Sequence, residues 1–242
     1  YIYINESEEK IPAGGKACLV KRMSDRHYGI GGDGVVFIRA CFDADFEMEV
    51  YNADGSRAEM CGNGVRCVAK YVYEKGMTRK TKLVIKSCGR KIYTELFTEN
   101  GAVSSVRVNM GTPLFSADAV PVTGCKYRMQ VVQEPIKAAG RLFKMTCVSM
   151  GNPHTVVFVE DVQRFPVDQT GPCFECHPRF PRRTNVEFVQ VLDRATIYMR
   201  VWERGSGETC ACGTGACAAV AACVLNGLTD AAVTVKLLGW QL

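Results

Sequence analysis

Cys61-Gly62-Asn63-Gly64 and Cys212-Gly213-Thr214-Gly215 are two copies of one short pattern, and each runs into a stretch of small, helix-forming residues. Their upstream flanks also correspond. Asp54-Gly55-Ser56-Arg57-Ala58-Glu59-Met60 leads into the first cysteine, and Gly205-Ser206-Gly207-Glu208-Thr209-Cys210-Ala211 leads into the second. The chain therefore reads as a duplicated half-domain with one thiol in each half. A cysteine taken singly is most simply a small buried hydrophobe. Packing gives no reason to place paired glycines beside a thiol twice over, so the repetition favours chemistry.

Thiol chemistry at a helix start says what such a pair can do. The unpaired N–H groups and positive dipole end of a helix are expected to lower the thiol pKa from about 8.5 and supply thiolate near neutral pH. The glycines let backbone N–H groups approach an anion such as a carboxylate. If the two halves face each other, a thiolate takes the α-proton of the bound acid from one face while the opposite thiol delivers one to the other. That is racemisation or epimerisation without a cofactor and without a metal.

Composition sets the outer limits. A chain of 242 residues, 47% of them hydrophobic, suffices for one large domain or two smaller ones. The net charge is +5 and the basic runs, such as Thr78-Arg79-Lys80-Thr81-Lys82, are short and scattered. Nucleic-acid binders concentrate charge on one face, so no nucleic acid is expected. No apolar run reaches the roughly 18 to 20 residues of a membrane span. Thirteen cysteines, odd in number and irregular in spacing, fit a reducing compartment, and a cytoplasmic location is expected.

Two motifs invite other readings. Cys173-Phe174-Glu175-Cys176-His177 has the spacing of a c-type haem attachment, but that chemistry demands an exported setting. Gly29-Ile30-Gly31-Gly32-Asp33-Gly34 is formally G-x-G-x-x-G, yet a dinucleotide turn needs a strand before it and a helix after it. Here a helical Val20 to Tyr28 segment precedes it and a strand-like Val35-Val36-Phe37-Ile38 follows.

Strands dominate elsewhere. Alternation or β-branched content marks 46–51, 106–110, 155–159, 186–191 and 196–202. The helix after Cys212 is apolar on every face over 216–225, predicts burial on all sides, and stops at Asn226-Gly227. The helix after Cys61 carries Arg66, Lys70 and Glu74 and predicts a polar stripe. The expected class is α+β: two pseudo-symmetric domains, each a β-barrel wrapped around a central buried helix. Gly and Pro near Gly111-Thr112-Pro113 place the halves at 1–112 and 113–230, with 231–242 expected to begin strands that return to the first half.

Four longer segments carry a resemblance. Residues 52–67 (Asn52 to Cys67), Gly151-Asn152-Pro153-His154, Asn185-Val186-Glu187-Phe188 and residues 203–215 (Glu203 to Gly215) are similar, in order along nearly the whole chain, to the signature segments of the diaminopimelate epimerase family. The resemblance implies two β-barrel domains, each around a central helix, a homodimer, and inversion of LL-2,6-diaminopimelate to the meso form in lysine synthesis. It also implies roles. Cys61 and Cys212 are the acid/base pair, tuned by His154 and Glu203. Gly62, Asn63, Gly213 and Thr214 offer backbone N–H groups to the reacting carboxylate, while Asn52, Asn152, Asn185, Arg204 and Glu203 hold the substrate. An asparagine serves both amino and carboxylate groups, and Arg204 can grip a carboxylate with two parallel bonds.

The chain departs from the family pattern in three places: a Gly-Asn-Asp segment is missing before Tyr1, Gly34 stands where some relatives carry a substrate-contacting glutamine, and the sequence stops at Leu242. Gly34 is expected to alter recognition of the far end of the substrate. Two alternatives remain: another pyridoxal-independent racemase or epimerase on the same scaffold, and a thiol redox or metal protein built on Cys210, Cys212, Cys217 and the Cys173/Cys176 pair.

Overall fold

A computed structural model describes residues 1–9, 11–57, 62–238, 240 and 241, with the backbone alone at Ala13, Gly62, Asn63, Trp240 and Gln241. The chain divides into two compact units, Tyr1–Asn109 and Met110–Leu242.

In the first unit β1 (Ile2–Asn5), β2 (Gly34–Ala40), β3 (Phe46–Asn52), β4 (Lys82–Ser87), β5 (Arg90–Glu99) and β6 (Ala102–Val108) form one sheet in sequence order. Helix α1 (Lys16–Ser24) links β1 to β2, and α2 (Gly62–Glu74) links β3 to β4. Along α2, Val65, Val68, Ala69 and Val72 repeat at the helical period and are fully buried. They pack against Val36, Ile38, Met48, Val50, Leu83 and Ile85, drawn from three strands, so the sheet curls around the helix. The polar stripe is present: Lys70 donates to the Val103 carbonyl at 2.9 Å, and Glu74 accepts from the Val103 N–H at 3.1 Å. Strand β2 is buried on both faces, Val35 and Phe37 meeting Val20 of α1 on the other side.

In the second unit β7 (Glu134–Ala138), β8 (Arg141–Ser149), β9 (Pro153–Phe158), β10 (Asn185–Asp193), β11 (Thr196–Glu203), β12 (Gly207–Thr209), β13 (Thr234–Leu237) and β14 (Trp240–Gln241) form the other sheet, joined by α3 (Val167–Glu175) and α4 (Gly213–Leu225).

The duplication is written in the pairing. In the first unit β1 and β2 are parallel across α1, β2 and β3 antiparallel, β3 and β4 parallel across α2, and β4 and β5 antiparallel. In the second, β9 and β10 are parallel across α3, β10 and β11 antiparallel, β11 and β13 parallel across α4, and β13 and β14 antiparallel. The same chain path is used twice. Each half thus carries a second helix, α1 or α3, on the opposite face of its sheet. The compositional reading passed over α3 because Gly171 and Pro172 interrupt its pattern.

One expectation needs correction. Helix α4 is not buried on all sides: Val224 is 42% exposed and Cys217, Val220 and Ala221 are half-buried, so small apolar side chains reach the surface along one stripe. Strand β13 is hydrogen-bonded in register with β11. Gly227 ends α4 at φ +70, the left-handed conformation that glycine tolerates.

The cores hold titratable sulfur. Burial pushes the Cys147 thiol up to about 12 and the Cys223 thiol up to about 12. A thiol raised in the folded state contributes stability that is fully present below its unfolded value and is lost as pH climbs through the folded value. Urea unfolding is therefore expected to show stability falling from about pH 9 upward, by up to about 1.4 kcal/mol per pH unit for each such thiol. Cys147→Ala should flatten that slope.

Candidate active site

Period two in the strands decides which side chains meet α4. Val156, Val189 and Val201 face α4 from β9, β10 and β11, and the same rows continue to His154, Glu187 and Glu203 at the end where α4 begins. Polar residues thus replace valines at one end of an apolar surface, beneath a helix start.

Cys212 is the N-cap of α4, at φ −130 and ψ 115, and its side chain accepts a bond from the Gly215 N–H at 3.4 Å. The N–H groups of Gly213 and Thr214 have no intrahelical carbonyl to bond. From the sheet a chain of hydrogen bonds arrives at the same sulfur. Glu187 Oε1 lies 2.7 Å from His154 Nδ1, His154 Nε2 lies 3.0 Å from Asn152 Oδ1, Asn152 Nδ2 donates to Thr214 Oγ1 at 3.3 Å, and Thr214 Oγ1 lies 3.4 Å from Cys212 Sγ. Thr214 Oγ1 thus joins the hydrogen bonds of the sheet to the Cys212 sulfur.

The other side of the sulfur faces Glu203, which lies within hydrogen-bonding reach of the thiol and accepts from the Thr209 hydroxyl. Burial holds the Glu203 carboxyl above the usual carboxylate range; the Thr209 bond opposes this and the Glu187 charge adds to it. Burial also pushes the Cys212 thiol well up, with the Glu203 and Glu187 carboxylates reinforcing the shift against the Thr214 and Gly215 bonds. The expectation that the helix start lowers this pKa is therefore reversed for Cys212. Desolvation of Cys212, a residue only 6% exposed and set beside two carboxyl groups, outweighs the dipole. The resting Cys212 thiol keeps its proton.

Known proteins resemble this chain in sequence and in fold. The diaminopimelate epimerase family model matches residues 1–115 and 146–242. The chain is 51% identical to the diaminopimelate epimerase of Agathobacter rectalis, over 100% of this chain and 86% of that one. It belongs to the diaminopimelate epimerase family. It is also 49% identical to the diaminopimelate epimerase of Acetivibrio thermocellus, over 100% of this chain and 85% of that one. A probable proline racemase from Agrobacterium radiobacter K84 shares the fold at 15% identity, with a TM-score of 0.64 over 92% of this chain and 69% of that one.

Of the residues matched to the family's segments, the second unit brings together Asn152, His154, Glu203, Gly213, Thr214 and Cys212. Asn185 makes two main-chain bonds: its Nδ2 donates to the Pro153 carbonyl at 2.8 Å and its Oδ1 accepts the Arg204 N–H at 2.9 Å. Arg204 is half-buried, and its Nη1 donates to the Arg182 carbonyl at 3.2 Å. In the first unit Asn52 is exposed at the end of β3, where its Nδ2 donates to Ser56 Oγ at 3.0 Å. Gly62 and Asn63 open α2, and Cys61 lies outside the described residues. A buried cation steadies the segment leading there. Lys16 lies 2.6 Å from Glu6 and 2.7 Å from Glu49, and Glu49 also accepts from Arg57 at 3.1 Å.

The motif-based site omits Glu187, which is fully buried with one oxygen on His154. The signal was available: a glutamate in Val186-Glu187-Phe188-Val189 occupies a core-facing position. Gly215 fits against it, since a Cβ there would stand 2.7 Å from Glu187 Oε1 and 3.3 Å from Cys212 Sγ. The competing motifs are accounted for locally. His177 Nε2 donates to the Lys137 carbonyl at 3.2 Å, and its Nδ1 accepts from the Arg179 N–H at 3.2 Å. The glycine run at 29–34 follows α1 and enters β2, the reverse of a dinucleotide turn. Among the described residues no three or more His, Cys, Asp or Glu side chains are grouped to hold a metal ion, and no helix is long and apolar enough to cross a membrane.

Proposed function

We propose that the chain inverts one α-carbon of LL-2,6-diaminopimelate to give the meso form, a step of lysine synthesis, with Cys61 and Cys212 as the two proton carriers. The observation that carries this reading is the buried Cys212 at the start of α4, with Thr214 Oγ1 and the Gly215 N–H each 3.4 Å from its sulfur and Glu203 beside it. In the direction that uses the resting state, Cys61 as thiolate removes the α-proton. The resulting carbanion takes a proton from Cys212 on the opposite face. The Thr214 hydroxyl and the Gly215 N–H then stabilise the negative charge left on Sγ, and the reverse reaction starts from that thiolate. Gly213 and Thr214, with Gly62 and Asn63, offer N–H groups to the reacting carboxylate. His154 acts on this chemistry through Asn152. Asn52, Asn152, Asn185 and Arg204 take the remaining amino and carboxylate groups.

The test is α-deuterium incorporation from deuterated water into LL-diaminopimelate across a panel of amino acids. Uptake limited to diaminopimelate supports the reading; uptake only into another amino acid sinks the substrate assignment. Arg204→Lys keeps the charge and loses the planar fork, so KM is expected to rise roughly tenfold or more, as for loss of a charge-assisted bond. Steady-state kinetics measures it. We further propose a cytoplasmic homodimer. The exposed free thiols Cys18, Cys67, Cys173, Cys176 and Cys210 support a reducing setting, and the dimer is checked by sedimentation.

A further inference from the structure

The segment that mimics a haem motif contains a side chain the chemistry above does not use. Glu175, at the end of α3, is 6% exposed. Its Oε2 accepts the Trp202 indole N–H at 2.7 Å, and its Oε1 accepts the Gly205 backbone N–H at 2.9 Å, with Arg183 Nη1 at 3.4 Å. The two main donors sit three residues apart and bracket Glu203 and Arg204.

The bracketed segment needs fixing. Gly205 and Gly207 adopt φ +79 and +85, conformations in which glycine is otherwise free to move. Each neighbouring residue has its own tether: Glu203 takes the Thr209 hydroxyl, and the Arg204 N–H bonds Asn185 Oδ1. Gly205, just past Arg204, is tied through Glu175. The indole itself is clasped between Glu175 and Gly171, where a Cβ would stand 2.5 Å from Trp202 Cγ. Helix α3 carries no residue assigned to the reaction, yet it grips both ends of the Trp202 to Gly205 segment.

We propose that Glu175 is a positioning residue for substrate binding, clamping Trp202 and Gly205 so that Arg204 presents its guanidinium in one orientation. This rests on Arg204 holding a substrate carboxylate. A carboxylate is required because both partners are donors. It offers an acceptor oxygen to each, whereas an amide must turn its NH2 toward one of them.

Glu175→Gln tests the clamp. The KM for LL-diaminopimelate is expected to rise about tenfold, the effect of losing one bond to a charged group, with kcat within about twofold because the thiols are untouched. A merely structural Glu175 would lower stability and leave KM alone. The Trp202 indole N–H resonance, one of two in the chain, should move upfield as its bond to Glu175 breaks. Wild-type KM with a displaced indole resonance overturns the clamp, as does an indole resonance that does not move. If Glu175→Gln does not fold, Trp202→Phe deletes one donor and is read in the same way: a raised KM supports the clamp and a wild-type KM overturns it. A wild type that does not invert diaminopimelate overturns the underlying assignment instead, which keeps the two failures apart.

Discussion

Cys212→Ser is expected to fold at least as well as the wild type and to lose stereoinversion by roughly two to four orders of magnitude, the usual scale of a general acid or base. Both halves of that result come from one position. Cys212 is the N-cap of α4 and accepts from Gly215, the third residue of the helix; serine is among the best residues for that geometry, worth about 1 kcal/mol over alanine. A hydroxyl is a far weaker acid than a thiol, so the proton donor is lost while the helix start is kept. Cys212→Ala removes the cap as well and should abolish turnover with a lower melting temperature. By the repeat, Cys61→Ser and Cys61→Ala should be equally inactive. Thermal unfolding beside deuterium exchange at the α-carbon checks both. Near-normal turnover in either serine variant would end the two-thiol mechanism.

Gly34→Gln should damage the fold and leave the choice of substrate unchanged. Gly34 pairs with Asn52 at the start of β2 and sits at φ +146, where a Cβ would stand 2.0 Å from the Tyr51 carbonyl oxygen. Relief requires β2 to move off β3, at a cost of about 3 kcal/mol or more from overpacking and backbone strain together. The geometry gives Gly34 a backbone role, since a Cβ at this pairing would meet the Tyr51 carbonyl. Urea titration of Gly34→Ala and Gly34→Gln measures the loss. If either variant folded normally and accepted a different amino acid, recognition would be the correct role.

What was legible in the sequence was local. Alternation located β3, β-branched and aromatic content located β10 and β11, Arg66, Lys70 and Glu74 marked the polar stripe of α2, and Asn226-Gly227 ended α4. The Cys-Gly-x-Gly repeat announced a duplication that the strand pairing carries through. The thiol pKa was misjudged because the helix dipole is visible in sequence, whereas the burial of the sulfur, and the Glu203 and Glu187 charges brought to it by two strands, exist only in the folded sheet. Glu175 was hidden for the same reason. Its donors lie 27 and 30 positions away, and its own neighbours spell a different motif.

Helix α4 has a consequence for how the protein breathes. It is rich in alanine, the residue that most favours helix. Its start is capped by Cys212, and its end is tied by Asn226, which bonds the Ala222 carbonyl at 2.7 Å, Thr146 at 3.1 Å and Gln133 at 2.8 Å. Amide hydrogens in its central turns should exchange only through global opening. In this half of the molecule the sulfur is then a stationary point, held at the start of the element that opens last.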